Sequence, residues 1–402
     1  MHVLIFIGPM MTTLNHTIDL LRSLIRFNTV SSNSNLELIH FVVDYLNQYG
    51  IESSLTYDET GEKANLFATI GNKSQSGICL SGHSDVVPTT GQNWNFAPFD
   101  LTEHEGKLYG RGTADMKGYL AVMLASVPHF LKHSDHMPFH LAISYDEEVG
   151  CVGVRHLLKE LEKQSIKPLA CIIGEPTSMQ LAVAHKGKRA WRCSVKGHTG
   201  HSALTHLGVN AAEYGAEVVT YLRSLANQRR EYGPHNSLFD PSYTTVHTGK
   251  IQSGTALNII PEQAQIDFEV RNIPSDDPDI LFKKVQTFTK KTLLPEMQAV
   301  NSNTGFDWDM TVSYPALEEI PESEMLRSLV AEILGSDQTK TLSFGTEGGL
   351  FQEIGIPTVV CGPGSMAQGH KADEFVEVSQ LNECLRFMQR LTESTARLKT
   401  VT

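Results

Sequence analysis

Apolar and polar positions along the first half of the chain predict strands and helices in alternation. Apolar residues at helical spacing predict helices at 14–27, 36–49, 117–132 and 153–163. Short apolar runs that end in polar or glycine-rich turns predict strands at 66–70, 78–81, 139–144 and 169–173. Strands that alternate with helices are typical of an α/β domain with a mainly parallel sheet.

The pattern changes near residue 188 and returns to alternation near residue 316. Strand, helix, strand, strand, helix and strand are predicted in that order, at 189–195, 208–227, 244–250, 264–271, 278–292 and 308–314. This βαββαβ order is that of a ferredoxin-like α+β unit. The first pattern then resumes, with predicted elements at 322–335, 357–361 and 378–397. We therefore expect a catalytic domain of residues 1–187 and 316–402, interrupted by an inserted domain of residues 188–315.

Composition narrows the class of protein. A length of 402 residues exceeds one ordinary core, and a hydrophobic content of 41% fits a soluble globular protein. The net charge of −12 argues against nucleic-acid binding, which requires clustered basic residues. No apolar run approaches the roughly 20 residues of a membrane span.

Cysteine usage and the first residues bear on the cellular compartment. The six cysteines form no CxxC pair, which favours reduced thiols in the cytoplasm. The apolar segment 1–7 has no basic residue before it and no small-residue cleavage site, so we expect no signal peptide. Met1, Met10 and Met11 remain alternative starts.

Metal-capable side chains follow several of the predicted strands. Each one alone also fits a structural role; Asp115, for example, fits a helix cap. Ligands of α/β sheets gather beyond the carboxyl ends of the strands, and imidazole and carboxylate groups bind divalent ions. The sequence therefore predicts a metal site at this edge of the sheet. The candidate residues are His83, Asp85, Asp115, Glu147, Glu148, Glu175 and His370.

Five motifs, in order along nearly the whole chain, resemble those of the M20 family of metallo-aminoacylases and metallopeptidases. They are a His-x-Asp turn, a GRGxxDMKG turn, a double glutamate, a GEPT turn and a late histidine. The resemblance implies a zinc-peptidase-like catalytic domain and an inserted ferredoxin-like dimerisation (lid) domain. It also implies two divalent ions per subunit, Zn²⁺ with Co²⁺ able to substitute.

The same resemblance implies a role for each candidate residue. His83 and Glu175 would bind one ion, Glu148 and His370 would bind the other, and Asp115 would bridge the two. Glu147 would be the general base that takes a proton from the attacking water, and Asp85 would orient His83.

The inserted domain contains a second set of motifs. The segments 197–202 and 208–211 resemble the dimerisation motif of the family, which implies a homodimer. His201 would then stabilise the oxyanion in the partner subunit, with His198 and His206 as alternatives. Asn258 and Arg271 resemble residues that hold the substrate carboxylate. The structural alternative for Arg271 is an ion pair with Asp267 or Glu269.

The last third of the chain bears on the substrate. The segments 344–351, 355–364 and 368–374 most resemble the acetylornithine deacetylase branch of the family. Gly345, Thr346 and Glu347 would line the substrate site, with Glu347 offering a negative charge to a substrate δ-ammonium. Succinyl-diaminopimelate desuccinylases typically carry Gly-Thr-Asp-(Gly/Ala)-Arg here. Because this chain has glycine at the arginine position, a neutral acyl group is favoured.

The resemblance implies hydrolysis of a small N-acyl amino acid, N2-acetyl-L-ornithine, to ornithine and acetate in arginine biosynthesis. Three alternatives remain open at this stage: a succinyl-diaminopimelate desuccinylase, a broader N-acyl-amino-acid deacylase and a non-catalytic metal-binding relative. Glu147 argues against the last of these, because a protein that only binds metal needs no free base beside it.

Overall fold

The computed structural model describes residues 14–135 and 137–398, with side chains described as far as residue 395. The apolar segment 1–7 and the alternative starts Met10 and Met11 lie outside these residues. Contacts divide the chain into two units. The first comprises the chain up to Ala184, Glu318–Lys340 and the chain from Thr346 onward, and the second comprises His185–Leu317 and Thr341–Gly345.

The strands of the described residues form three sheets. They are β1 (Ser53–Tyr57), β2 (Ala64–Ile70), β3 (Ile78–His83), β4 (Thr102–His104), β5 (Lys107–Tyr109), β6 (Phe139–Ser144), β7 (Ala170–Ile173), β8 (Leu181–His185), β9 (Gly187–Lys196), β10 (Thr245–Ser253), β11 (Gln263–Asn272), β12 (Gly305–Tyr314), β13 (Thr339–Leu342), β14 (Thr358–Val360) and β15 (Phe375–Glu377).

The α-helices of the same residues are α1 (Leu14–Arg26), α2 (Leu36–Asn47), α3 (Lys117–Ala125), α4 (Val127–His133), α5 (Val154–Glu162), α6 (Ala211–Tyr232), α7 (Pro278–Phe288), α8 (Leu294–Val300), α9 (Glu324–Leu334), α10 (Gly348–Glu353) and α11 (Val378–Leu398). None of them is both long enough and apolar enough to cross a membrane.

The largest sheet has the strand order β1-β2-β6-β3-β7-β14-β8-β13. Its central strands β6, β3, β7 and β14 pair in parallel. The side chains of β3 and β6 are buried along their whole length, as expected for strands covered on both faces. The predicted α/β fold with a mainly parallel sheet is confirmed, and the parallel strands end at one common edge.

Helix α3 begins at Lys117, within the glycine-rich segment Gly110–Gly118, and is buried along its whole length. Its first residue, Lys117, donates hydrogen bonds from Nζ to the carbonyl oxygens of Leu24 and Phe27 at 3.1 and 2.8 Å. These bonds join the end of α1 to the beginning of α3. They therefore fix the backbone two residues after Asp115.

The second unit is built on a four-stranded antiparallel sheet in the order β10-β11-β9-β12. With α6 and α7, this is the predicted ferredoxin-like arrangement. Its core contains Trp191, whose ring stacks on Phe282 with centroids 4.5 Å apart. Helix α6 begins after Asn210, whose side chain accepts hydrogen bonds from the amides of Ala212 and Glu213.

Two segments that were each predicted as one continuous helix are interrupted in the structure. The helix predicted at 117–132 is two helices, α3 and α4, and proline occupies the first turn of α4, where its missing N–H costs no hydrogen bond. The helix predicted at 278–292 ends as α7 at Phe288. A π-helical segment, Thr289–Leu293, then leads into α8.

Candidate active site

A first cluster of three side chains lies at the carboxyl ends of β3 and β7. His83 Nε2 lies 3.1 Å from Asp115 Oδ1 and 3.6 Å from Glu175 Oε1. All three side chains are buried, and their potential ligand atoms lie within 4.8 Å of one another. His83 ends β3, Asp115 precedes α3 and Glu175 follows β7, so the parallel strand ends bring together residues that are far apart in sequence.

A second cluster shares Asp115 with the first. His370 Nε2 lies 3.2 Å from Asp115 Oδ2 and 2.9 Å from Glu148 Oε2. Asp115 thus directs one carboxylate oxygen towards each imidazole. His370 is half exposed, whereas Glu148 and Asp115 are buried, so the second cluster opens to solvent on the histidine side. All five residues predicted as ligands are therefore in these two clusters.

Burial and crowding of charge set the pKa values of the acidic groups. Burial and the nearby carboxylate of Asp115 raise the pKa of Glu175 well above its usual range, and they raise that of Glu148 to about 7. Although burial alone would raise the pKa of Asp115, hydrogen bonds from His370 and His83 hold it below its usual value. The site therefore concentrates more carboxylate groups than its two imidazoles can neutralise.

The donor set fits divalent cations. It consists of imidazole nitrogens and carboxylate oxygens, the ligand types that Zn²⁺ takes when sulfur is absent. Glu148 Oε1 is buried and has no hydrogen-bond partner among the described residues. A buried carboxylate oxygen without a donor is costly, and a cation in the second cluster would satisfy it.

Asp85 holds the backbone around the site. Its Oδ2 accepts a hydrogen bond from the Ser31 hydroxyl at 2.7 Å, and its Oδ1 accepts one from the amide of Glu147 at 3.0 Å. His83 Nδ1 lies 2.9 Å from the carbonyl oxygen of Asp85 and 3.5 Å from its Oδ1. Asp85 therefore fixes both the imidazole of His83 and the turn that carries the double glutamate.

Glu147 lies next to the clusters but belongs to neither. Burial raises its pKa well above the usual range; His83 opposes this shift, and the charges of Glu148 and Glu347 add to it. Its Oε1 accepts a weak hydrogen bond from the Cys151 thiol, with Sγ at 3.3 Å. One weak hydrogen bond leaves this carboxylate with lone pairs for a further proton partner.

Glu347 is buried, with its carboxylate on the sheet rather than in an open cleft. It accepts hydrogen bonds from the hydroxyls of Ser144 and Ser81, and burial raises its pKa to about 7. The neighbouring Thr346 hydroxyl accepts a bond from the amide of Gly348. These contacts give the Glu347 carboxylate two partners within the protein, so a substrate ammonium would have to compete with them.

The second unit holds the other predicted substrate residues. His201 and Ile259 form a bridge, which places His201 beside the segment that carries Asn258, and His201 and Asn258 are both exposed. His198 is half buried and pairs with Val209, whereas His206 is exposed.

Arg271 forms an ion pair within the second unit. Its Nε lies 2.8 Å from Glu269 Oε1. This is one of the two ion pairs named as its structural alternative. Gly345 lies against the ring of Tyr314, where an added Cβ would meet a ring carbon at 2.0 Å, so only glycine fits there.

A buried lysine of this unit was not among the predicted site residues. Lys186 donates from Nζ to the carbonyl oxygens of Pro241 and Tyr243 at 2.7 and 2.8 Å. Burial lowers its pKa to about 8, the charge of Arg271 adds to this shift, and Asp240 opposes it.

Sequence reasoning also missed the residues that hold the site from behind. Ser31 and Ser144 bond to Asp85 and Glu347, and Lys63 forms an ion pair with Asp146 at 2.7 Å. Glu374 accepts hydrogen bonds from the turn that carries Asp115. These partners lie tens to hundreds of residues apart in sequence, and no motif signals them.

Comparisons with known proteins agree with this geometry. The model of the peptidase family M20/M25/M40 matches residues 79–394. The chain is 32% identical over 366 residues to the acetylornithine deacetylase of Pasteurella multocida (strain Pm70), covering 89% of this chain and 91% of that protein. It is 32% identical over 390 residues to the acetylornithine deacetylase of Proteus mirabilis (strain HI4320), covering 94% of this chain and 96% of that protein.

A solved structure shows the same fold. It is that of a dinuclear metal binding peptidase of the M20 family from Bacillus subtilis, with a TM-score of 0.63 and 16% sequence identity. The alignment covers 96% of this chain and 98% of that one.

Proposed function

The chain belongs to the peptidase family M20/M25/M40 and is a hydrolase; from that premise we propose that it removes the acetyl group of N2-acetyl-L-ornithine, giving L-ornithine and acetate. Two relatives that are 32% identical over most of their length are acetylornithine deacetylases, which supports this substrate. On this proposal the reaction serves arginine biosynthesis in the cytoplasm.

We infer that two divalent ions, Zn²⁺ with Co²⁺ able to substitute, occupy the two clusters. His83 and Glu175 would hold one ion, Glu148 and His370 the other, and Asp115 both. Such ions would polarise the acyl carbonyl and make an attacking water more acidic. The M20 peptidase from Bacillus subtilis, which is described as dinuclear, supports the number two.

Glu147 then acts as the general base. Its carboxylate takes a proton from the attacking water. The water oxygen bonds to the acyl carbon, the C–N bond breaks, and the proton held by Glu147 passes to the leaving amine. A carboxylate outside both donor clusters can hold this proton and return it to the amine.

The remaining assignments rest on the family resemblance. Asp85 would orient His83, and its contacts with the imidazole and with the Glu147 amide support that role. Asn258 and Arg271 would hold the substrate carboxylate, and Gly345, Thr346 and Glu347 would line the substrate site. The second unit would pair two subunits into a homodimer, with His201 stabilising the oxyanion of the partner's reaction.

The proposal depends on one observation: Asp115 directs one carboxylate oxygen towards His83 and the other towards His370. Glu147, the proposed base, lies outside both clusters. The test is release of free ornithine from N2-acetyl-L-ornithine by chelated protein and by protein reloaded with Zn²⁺ or Co²⁺. We expect turnover only after reloading. Equal turnover by the chelated protein, or none in either state, would contradict the proposal.

A further inference from the structure

Glu374 is bonded almost entirely to the turn that carries Asp115. Its Oε1 accepts hydrogen bonds from the amides of Ala114 and Asp115 at 2.9 and 3.0 Å. Its Oε2 accepts from the amide of Gly112 at 3.0 Å and from Arg111 Nη1 at 2.6 Å. Its carbonyl oxygen accepts from the amide of Gly110 at 2.9 Å, so one residue satisfies most of the donors of this turn.

Arg111 and Gln92 continue these bonds to His370. Arg111 Nη2 donates to Gln92 Oε1 at 2.6 Å, and Gln92 Nε2 donates to the carbonyl oxygen of His370 at 3.0 Å. The guanidinium of Arg111 also lies over the ring of Trp94, at 5.0 Å from its centroid. The side chains of Arg111 and Glu374 are both about 1% exposed, so water does not weaken their ion pair.

These bonds and the ligand contact form a closed ring. Asp115 meets His370 through its carboxylate, and the two residues are joined again from behind through Glu374, Arg111 and Gln92. His370 has a φ of +61°, a left-handed conformation that is uncommon for residues other than glycine. The Gln92 bond to its carbonyl oxygen supports this conformation.

We propose that Glu374 is a positioning residue that, together with Arg111 and Gln92, sets the spacing of Asp115 and His370 and thereby the affinity of the second ion. The inference rests on the two-ion centre proposed above. The first cluster depends less on Glu374, because His83 and Glu175 are held by β3, β7 and Asp85.

The substitution Glu374→Gln tests this with little change of shape. Glutamine keeps one acceptor oxygen and gains an NH2 group, which in either orientation meets two groups that already donate: Arg111 and the Gly112 amide, or the amides of Ala114 and Asp115. The turn must therefore shift. Loss of partners behind metal ligands typically costs about 10–100-fold in metal affinity. We expect a loss of this size for the second ion and a smaller loss for the first.

The experiment titrates chelated protein with Co²⁺, followed by visible absorption and calorimetry. Gln92→Ala provides an independent variant, since Gln92 is only partly buried and its loss removes the donor to the His370 carbonyl and the acceptor of Arg111 Nη2 while keeping the Arg111–Glu374 ion pair. It should weaken the second binding step alone. Asp276→Asn is the matched control, because it breaks another largely buried ion pair, with Arg229 at 3.1 Å in the second unit.

The outcomes separate the two proposals. Two binding steps in the unaltered protein, with the second weakened in Glu374→Gln and Gln92→Ala but not in Asp276→Asn, would support the inference. Wild-type affinities in both site variants, or an equal loss in the control, would overturn it while leaving the two-ion centre intact. Fewer than two steps in the unaltered protein would overturn both.

Discussion

Replacing Glu147 by glutamine removes the proposed base and leaves the proposed ligands in place. The glutamine has the size and shape of glutamate, and Glu147 belongs to neither donor cluster. The Asp85 bonds to this turn are made by backbone amides, which the substitution keeps. We therefore expect Glu147→Gln to bind both ions with nearly unchanged affinity.

The loss of rate follows from the role of the carboxylate. A general base contributes roughly 10²–10⁴-fold to a rate, so kcat should fall by that factor. This corresponds to about 3–5 kcal/mol of lost transition-state stabilisation, at 1.36 kcal/mol per decade. KM should change little, because the proton moves only in the transition state.

The assay compares steady-state release of ornithine with metal content per subunit. Glu148→Gln is the matched control: it alters the adjacent carboxylate, whose Oε2 lies 2.9 Å from His370 Nε2, and it should lose metal along with activity. A Glu147→Gln protein with near-native kcat would refute the assignment of the base. One that loses an ion as readily as Glu148→Gln would show that Glu147 is a ligand.

Three further predictions concern residues around the site and in the second unit. Burial lowers the pKa of Lys186 to about 8, so between about pH 8 and pH 10.5 this lysine is protonated in the unfolded chain and neutral in the folded one. The free energy of unfolding should therefore rise with pH in this range, by at most about 1.4 kcal/mol per pH unit. Urea denaturation from pH 8 to 10 should show this slope lost in Lys186→Met, and an unchanged slope would refute the account of the buried ammonium. Asp85→Ala removes the acceptor of the Ser31 hydroxyl and of the Glu147 amide, so metal affinity should fall about 10–100-fold by metal analysis after dialysis; full retention would count against Asp85 as a positioning group. Inactive His201→Ala and Glu147→Ala proteins, mixed and allowed to re-form dimers, should regain activity if His201 serves the partner subunit, and no recovery would contradict that role.

The sequence predicted the part of the candidate site in which a polar residue ends or follows a buried strand. His83 and Glu175 come at or just after strands whose side chains are all buried, and parallel strand ends meet at one edge. The hydrophobic pattern predicts these parallel strands, and the parallel arrangement brings His83 and Glu175 to the edge of the sheet where Asp115 lies. The sharing of Asp115 between two clusters came from the family resemblance.

Other features depend on contacts that one sequence does not encode locally. The strand β13 was missed because its sequence, Thr-Lys-Thr-Leu, contains a single apolar residue. The strand β8 was missed because Lys186 alone separates it from β9. Glu347 was expected to face a substrate, yet Ser81 and Ser144 engage it from strands more than 200 residues away in sequence. The partners of Glu374 lie about 260 residues from it, so only the folded chain reveals them.

The most direct test of the central claim is a comparison of kcat/KM for three substrates on the Zn²⁺- or Co²⁺-loaded protein. They are N2-acetyl-L-ornithine, N-succinyl-diaminopimelate and N-acetyl-L-methionine. We predict that the first has the highest value, because the chain offers no arginine at residue 349 for a succinyl carboxylate. A higher value for the succinyl substrate would contradict the assignment, and equal values for both acetyl substrates would make the protein a broader deacylase.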